Sequence, residues 1–226
     1  MIITIDGPAG SGKSTAARKL AARLEIAYLD TGAMYRAVAY AGLQRGVDFH
    51  DDETLLRLAK SIKLELDCGP THTRVRVDVR DVSEAIRTMA VNEVTPYIAR
   101  HAAIRELLVK RQRDIGRALG SFVSEGRDQG TVVFPGADVR FVLEASLDKR
   151  ARRRAQEMLA DGEDVEIAEV VDNLRARDEV DAKQWEPLLA PGEAVIIDTT
   201  DLAIAEVVDR LVEAVREVKS KKSDPG

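Results

Sequence analysis

The chain has 226 residues, 45% of them apolar, and a formal charge of −5. This length suits one α/β domain with insertions, and the apolar content supplies a sizeable core. The negative charge argues against a nucleic-acid-binding face as the main function. The single cysteine, Cys68, excludes an internal disulfide and indicates a reducing compartment.

The N-terminal residues lead directly into a predicted strand, which leaves no room for a signal peptide. No run of apolar residues approaches the length of a membrane span. We therefore expect a cytoplasmic protein with neither a membrane nor a nucleic acid as partner.

The motif that organises the chain lies at residues 7–14. Gly7, Gly12, Lys13 and Ser14 fit the phosphate-loop pattern of glycine, four residues, glycine, lysine and serine without a mismatch. A short β-branched strand precedes the motif, and apolar residues at helical spacing follow it. Strand, loop and helix N-terminus together direct several backbone N–H groups and the positive end of the helix dipole toward one point, which suits a triphosphate.

Two side chains of this loop have expected chemical roles. Lys13 should reach the β- and γ-phosphates of ATP, and the Ser14 hydroxyl should bind Mg²⁺. The predicted ATP-binding residues are Gly7, Pro8, Ala9, Gly10, Ser11, Gly12, Lys13, Ser14 and Thr15. Taken alone, the motif leaves kinase, GTPase and ATP-driven machine open.

A second candidate site follows the short predicted strand at 27–29. Ligands bind at the edge where parallel strands end, and this strand delivers Asp30, Thr31 and Arg36 to that edge. Helix capping alone could explain Asp30 or Thr31, so Arg36 is the more informative residue. The pattern predicts a helix from Ala33 to about Arg45.

Residues 52–80 are predicted to form a helix and a small antiparallel insert. Apolar residues recur at helical spacing over about 52–62, and an alternating pattern replaces this spacing between 63 and 80. Within the alternating stretch, Val75, Val77 and Val79 are expected to face the same side.

A long helix is predicted to begin with Thr95 as its N-cap and Pro96 at its first position. Its apolar stripe includes Ile98 and Leu108, and Arg105 falls in the same stripe. A guanidinium there needs an anion or a polar ligand, or must extend to water. Arg105 is therefore a candidate site residue.

The third predicted strand, 122–124, ends in a charged segment between glycines. Glu125, Arg127 and Asp128 follow it directly, and Glu125 stands where an acid supports Mg²⁺ through water in phosphate-loop proteins. Two further strands are predicted, at 139–143 and 194–198. The alternation of strands and helices predicts a parallel sheet with right-handed crossovers.

Two charged helices are predicted between the last two strands. The first carries four arginines and four apolar residues at helical spacing: Arg150, Arg152, Arg153 and Arg154, with Ala151, Ala155, Met158 and Leu159. The second has an apolar stripe that becomes ionic: Ile167, Val170, Val171 and Leu174, then Arg177, Asp178 and Asp181. The arginines could form a solvated helix face, but the ionic end of the second stripe favours a cleft. Two helices joined at Gly162 then predict a mobile lid over transferring phosphates.

With these features in view, the chain resembles the bacterial type of cytidylate kinase, within the P-loop nucleoside monophosphate kinases. The resemblance runs from end to end and rests on residues 4–8, 30–36, 81–83, 86–88, 125–128, 130–135, 177–178, 181, 187–188 and 197–200. It implies transfer of the ATP γ-phosphate to CMP or dCMP with Mg²⁺. The implied fold is a three-layer α/β fold with a five-stranded parallel core sheet, a small antiparallel insert and a helical lid.

The resemblance also implies roles for individual residues. Thr31, Arg105 and Asp128 would contact cytosine, Arg36 and Arg127 the acceptor phosphate, and Arg177 and Asp181 the ribose, with Tyr35 as a further substrate-binding residue. Lys13, Arg127, Arg153 and Arg154 would be the catalytic residues.

A single kinase domain spanning 1–226 is expected from the resemblance. It would comprise a core at about 1–32, 118–148 and 190–218, a nucleotide-binding insert at about 33–117 and a lid at about 149–182. Its partners would be ATP, CMP and dCMP, and it would act as a monomer.

Two other classes of function fit the residues less well. A regulatory GTPase needs a guanine-selecting Asn-Lys-x-Asp segment, which the sequence lacks. A nucleotide-binding regulator without turnover would not need arginines on both sides of a cleft. The alternative that stays open is a kinase for another nucleoside monophosphate or small metabolite.

Overall fold

The computed structural model describes residues 1–160, 162 and 165–223. The strands are β1 (Ile2–Asp6), β2 (Ala27–Asp30), β3 (Leu64–Cys68), β4 (Thr73–Val77), β5 (Arg80–Asp81), β6 (Phe122–Glu125), β7 (Val139–Glu144) and β8 (Val195–Asp198). The helices are α1 (Lys13–Leu24), α2 (Thr31–Gln44), α3 (Asp52–Ser61), α4 (Met89–Arg100), α5 (Ala102–Leu119), α6 (Leu147–Ala160), α7 (Ile167–Asp181) and α8 (Ile204–Ser223). A π-helical turn, Gln129–Val133, follows β6.

Five strands form the predicted parallel sheet, in the order β2-β6-β1-β7-β8. Its register pairs Ile5 with Phe141 and Val142 with Ile196. β1 and most of β7 are buried, which explains their nearly continuous apolar sequences. Each of the five predicted strands is confirmed to within one residue at its ends.

The chain divides into two compact units, Met1–Glu25 with Val123–Gly226, and Ile26–Phe122. In the first unit α1 packs against α8, and α6 packs against α7. In the second unit α2 packs against α4, in a core that includes the fully buried Met34, Leu55 and Ile98. None of the helices in the described ranges is long and apolar enough to cross a membrane.

The helix predicted to begin at Thr95 was placed wrongly. α4 already begins at Met89 and contains Pro96 in its interior, and the Thr95 hydroxyl donates to the Val91 carbonyl oxygen at 2.7 Å. Proline normally ends a helix because it has no N–H to donate. Burial of Val91 and Ile98 against the core of the second unit outweighs that preference. The next helix, α5, begins only after His101.

The predicted antiparallel insert is confirmed as a separate sheet, in the order β3-β4-β5. Val75 and Val77 are buried as expected, but Val79 is 91% exposed. The alternation stops at Asp78, whose φ of 58° turns the chain between β4 and β5. The prediction for Val79 was therefore wrong, because a turn resets the side to which the next side chain points.

Candidate active site

The phosphate loop makes a tight turn that requires glycine at two positions. Gly7 has a φ of 134°, and a Cβ there would lie 2.2 Å from the Leu143 carbonyl oxygen. Gly12 has a φ of 88° and is the N-cap of α1, where it offers no side chain as an acceptor. The first backbone N–H groups of α1 are therefore suited to an external anion such as a phosphate.

Lys13 is a buried cation at the start of α1. Only 8% of the residue is exposed, and its Nζ donates to the Pro8 carbonyl oxygen at 2.6 Å. Burial and then the charge of Arg127 lower the pKa of Lys13 to about 8, although Glu125 and Asp6 act in the opposite direction. An anionic ligand would favour the charged form, so this lysine is suited to bind one.

Ser14 and Glu125 are the side chains that could hold a metal ion. The exposed Ser14 hydroxyl donates to Glu125 Oε1 at 2.9 Å, and Glu125 is buried at the end of β6. A hydroxyl beside a carboxylate fits Mg²⁺, which prefers oxygen ligands and keeps several of its waters. Within the described residues, no group of three or more His, Cys, Asp or Glu side chains could hold a metal ion alone.

Asp6 is a buried acid whose role sequence analysis missed. Its carboxylate oxygens accept from the backbone N–H groups of Gln129 and Gly130, each at 2.8 Å. Burial nevertheless raises the pKa of Asp6 to about 7. These bonds fix the start of the π-helical turn that follows Asp128. The available signal was an acid that closes a buried strand, since such a carboxylate needs specific partners.

Asp128 lies in a small buried hydrogen-bond network. Its Oδ1 accepts from the Gln129 side-chain amide at 3.2 Å, and Gln129 Oε1 accepts from Ser124 Oγ at 2.7 Å. All three residues are almost completely buried. The acid predicted to contact cytosine is thus held by a neighbour that sequence analysis did not single out.

Two predicted site arginines share one electrostatic environment with Lys13, and we call Lys13, Arg127 and Arg177 the loop cation cluster. Arg127 forms an ion pair with Asp181. Desolvation and then the charge of Arg127 lower the pKa of Arg177 to about 10, although part of the Arg177 side chain is exposed. Burial is the largest cause of the lowered pKa values of Lys13 and Arg177, and the charge of Arg127 adds to it.

The arginines of α6 do not share one solvated face. Arg150 is 5% exposed, donates to the Ala9 carbonyl oxygen at 3.1 Å and pairs with both carboxylate oxygens of Asp178. Arg153 donates to the Thr199 carbonyl oxygen at 2.6 Å. Arg154 pairs with Glu157 on the same helix at 3.2 Å. Arg150 is therefore a buried structural residue, which an arginine-rich sequence alone does not reveal.

Two apolar positions of the predicted lid helices were also placed wrongly. Leu159 is 57% exposed and Ile167 is 55% exposed, whereas Ala155, Val170 and Leu174 are buried in one cluster. Leu159 lies in the last turn of α6 and Ile167 in the first turn of α7. The helical period continues to the ends of both helices, but the contact between the helices does not.

The second unit contains the Asp30 cluster, formed by Asp30, Arg36 and Arg87. Asp30 caps α2 by accepting from the Ala33 N–H at 2.9 Å, and it also accepts from Arg36 at 2.9 Å and from Arg87 at 3.3 Å. Capping thus explains Asp30, and Thr31 is the first residue of the helix. Arg36 Nε is buried and has no hydrogen-bond partner among the described residues.

The other predicted site residues of the second unit are Thr31, Tyr35 and Arg105. Thr31 is buried, and Tyr35 and Arg105 are half-buried. Arg105 lies on α5 whereas Ile98 lies on α4, so the continuous stripe from which Arg105 was predicted does not exist. The role of Arg105 now depends on the resemblance alone.

Comparison with known proteins identifies the family. The profile of the cytidylate kinase family matches residues 3–217. The chain is 44% identical over 216 residues to the cytidylate kinase of Anoxybacillus flavithermus and 43% identical over 216 residues to that of Bacillus subtilis, each time covering 95% of this chain and 96% of the relative. A shikimate kinase from Bacteroides thetaiotaomicron shares the fold, with a TM-score of 0.52 at 15% identity over 96% of this chain and 98% of that one. The chain therefore belongs to the cytidylate kinase family.

Proposed function

We propose that this chain transfers the γ-phosphate of ATP to CMP and dCMP, giving ADP with CDP or dCDP. The observation that carries the proposal is the loop cation cluster. Three cations share one environment with a phosphate loop, and the pKa values of Lys13 and Arg177 are lowered to about 8 and about 10. Perturbed cations of this kind are typical of sites that bind a polyanion.

On the donor side, the protein mainly positions the phosphates and neutralises their charge. The loop N–H groups and Lys13 hold the β- and γ-phosphates and stabilise the charge that develops on their oxygens. Mg²⁺, held by Ser14 and through water by Glu125, would supply further positive charge to the phosphate oxygens.

On the acceptor side, the substrate phosphate is already an anion at neutral pH, so no strong general base is required. Arg36 and Arg127 hold this phosphate and screen the repulsion between the two anions. Arg177 and Asp181 contact the ribose. Arg153 and Arg154 contribute to a lid that keeps water from the phosphoryl group. Tyr35 is a further substrate contact.

The base is selected by matching donors with acceptors. Cytosine presents an amino donor at position 4 and an acceptor at nitrogen 3, whereas uracil presents the reverse. The Asp128 carboxylate accepts from the amino group, and Arg105 and Thr31 supply the remaining polar contacts. Uracil would then leave buried groups unpaired, a mismatch that can reach roughly 10⁴-fold discrimination.

The proposal is tested with a panel of nucleoside monophosphates in the presence of ATP and Mg²⁺, with ADP release as the measured quantity. We expect the highest kcat/KM with CMP and dCMP. A higher kcat/KM for another monophosphate would identify that nucleotide as the preferred substrate and would leave the kinase chemistry in place.

We further propose a cytoplasmic monomer, and light scattering after size-exclusion chromatography tests the oligomeric state.

A further inference from the structure

We propose that Gln129 is a positioning residue for base recognition, which holds the Asp128 carboxylate in the orientation that selects cytosine. The inference rests on the proposed role of Asp128 at the base. It adds a residue that has no contact of its own with the base and acts through its neighbour.

The hydrogen bonds of the Gln129 amide define its orientation. Ser124 Oγ donates to Gln129 Oε1 at 2.7 Å, and Gln129 Nε2 donates to Asp128 Oδ1 at 3.2 Å. A flipped amide would place its oxygen against the Asp128 carboxylate, which repels it. The hydroxyl, the amide and the carboxylate therefore form a relay with one favourable direction.

Gln129 is held at its backbone as well as at its side chain. Its backbone N–H donates to Asp6 Oδ1 at 2.8 Å, in the π-helical turn. Its side chain lies over Gly126, where an added Cβ would come within 2.7 Å of Gln129 Nε2. With 2% of the residue exposed, the amide has little room for another rotamer.

The Gln129 amide also supplies a hydrogen-bond donor to a buried carboxylate. Asp128 is 6% exposed, and the charge of Asp6 interacts unfavourably with it. Burial and a neighbouring acid both disfavour a carboxylate, whereas a donated hydrogen bond favours it. A carboxylate oxygen is the acceptor that the cytosine amino group requires, and the Gln129 amide holds this carboxylate in place.

The first test is Gln129→Met, which keeps the approximate volume and removes the amide. We expect KM for CMP to rise roughly tenfold, and the CMP-to-UMP ratio of kcat/KM to fall by a similar factor, since one hydrogen bond to a charged group is lost. KM for ATP and the saturated kcat should stay unchanged. The matched control is Gln112→Met, because Gln112 is also fully buried and lies on α5 of the second unit. This control should leave the ratio unchanged.

The second test is Gln129→Glu measured between about pH 6 and about pH 8, a range around the raised pKa of a buried carboxyl. In this variant a protonated carboxyl at position 129 can donate to Asp128 as the amide does, while an ionised one repels both Asp128 and Asp6. The CMP-to-UMP ratio should therefore approach that of the wild type at the acid end and fall as pH rises. Asp6 and Lys13 also titrate near this range. The CMP-to-UMP ratio of Gln129→Met, measured over the same range, therefore provides the reference.

Three outcomes are decisive. If Asp128→Ala lowers the ratio and Gln129→Met does not, base reading by Asp128 stands and the inference fails. If Asp128→Ala itself keeps the ratio, the base-reading role fails and the inference fails with it. If Gln129→Met does not fold, Ser124→Ala replaces it, since removing the hydroxyl frees the amide to rotate. That variant should lower the ratio in the same direction, and an unchanged ratio would overturn the inference.

Discussion

The loop cation cluster and the Asp30 cluster each contain one buried charged residue, Lys13 and Asp30, and burial is compensated differently in the two. Asp30 accepts hydrogen bonds from a helix N–H and from two guanidinium groups, so the second unit supplies its own counter-charges. In the first unit, desolvation and then the charge of Arg127 lower the pKa of Lys13 to about 8 and that of Arg177 to about 10. Desolvation is the largest cause of both lowered pKa values, and a bound anion would offset it.

This difference separates a charge that supports folding from a charge prepared for a ligand. Removing a buried acid that already has its partners destabilises the fold. A cation whose charged form is disfavoured gains most when an anion binds. We therefore expect loss of Asp30 to lower stability, and loss of Lys13 to lower turnover while the fold remains.

The largest effect is expected from Lys13→Ala. Loss of a cation that stabilises the transferring phosphate should lower kcat by at least about 10³-fold. The thermal midpoint should not fall, because a buried, desolvated cation has been removed. Lys19→Ala is the matched control, since Lys19 is an exposed lysine on the same helix. Wild-type turnover of Lys13→Ala at saturating ATP and Mg²⁺ would contradict the kinase role of the loop.

Asp30→Ala tests the other side of the comparison. We expect the free energy of unfolding to fall by about 2 to 3 kcal/mol, because a helix cap is lost and two guanidinium groups lose an acceptor. Chemical denaturation measures this loss. Asp51→Ala is the control, since Asp51 caps α3 by accepting from the Thr54 N–H at 3.0 Å but lies at the surface. Equal losses in the two variants would mean that capping alone accounts for Asp30.

The pH dependence of ATP use should report Lys13. The side chain acts as a cation, and its pKa is lowered to about 8, so its charge is present below that pH and is lost above it. In the free enzyme kcat/KM for ATP should then fall about tenfold per pH unit above the pKa. Lys13→Arg should lower activity but lose this alkaline limb, because a guanidinium stays charged. A wild-type profile that stays level to about pH 10 would show that Lys13 keeps an ordinary lysine pKa.

The smallest effect is expected from Arg153→Ala combined with Arg154→Ala. If these residues contribute to a closing lid, kcat should fall about fivefold while CMP binding without ATP changes less. Arg175→Ala is the control, since Arg175 pairs only along its own helix in the described structure, with Asp172 at 2.9 Å. Equal losses in kcat and in CMP binding would contradict the lid role of the two arginines.

Several elements were predictable because their signals are local. The phosphate loop needs glycines at backbone positions that other residues cannot adopt, as Gly7 and Gly12 show. β1, β6 and most of β7 carry runs of buried residues, and the bounds of the five parallel strands were predicted to within one residue. The charged segment after β6 was recognisable because polar residues that end a buried strand reach the ligand-binding edge of the sheet.

Most of the errors have non-local causes. Pro96 lies inside α4 because packing against the second unit's core outweighs a local preference that ends helices. Val79 is exposed because a turn at Asp78 interrupts the alternation. Leu159 and Ile167 follow the helical period but lie beyond the contact between α6 and α7. For Pro96, Leu159 and Ile167 the neighbours that decide the outcome are distant in sequence, whereas for Val79 the adjacent turn at Asp78 decides it.

Local backbone chemistry and periodicity were therefore enough to predict the phosphate loop and the parallel sheet, whereas the family followed from the resemblance of the motifs. Only the tertiary structure decided which charges are partners: Asp6 with the backbone of Gln129 and Gly130, Arg150 with Asp178, and Gln129 with Asp128. Pairing and desolvation depend on which groups the fold brings within a few ångströms, and residue order alone does not encode those distances.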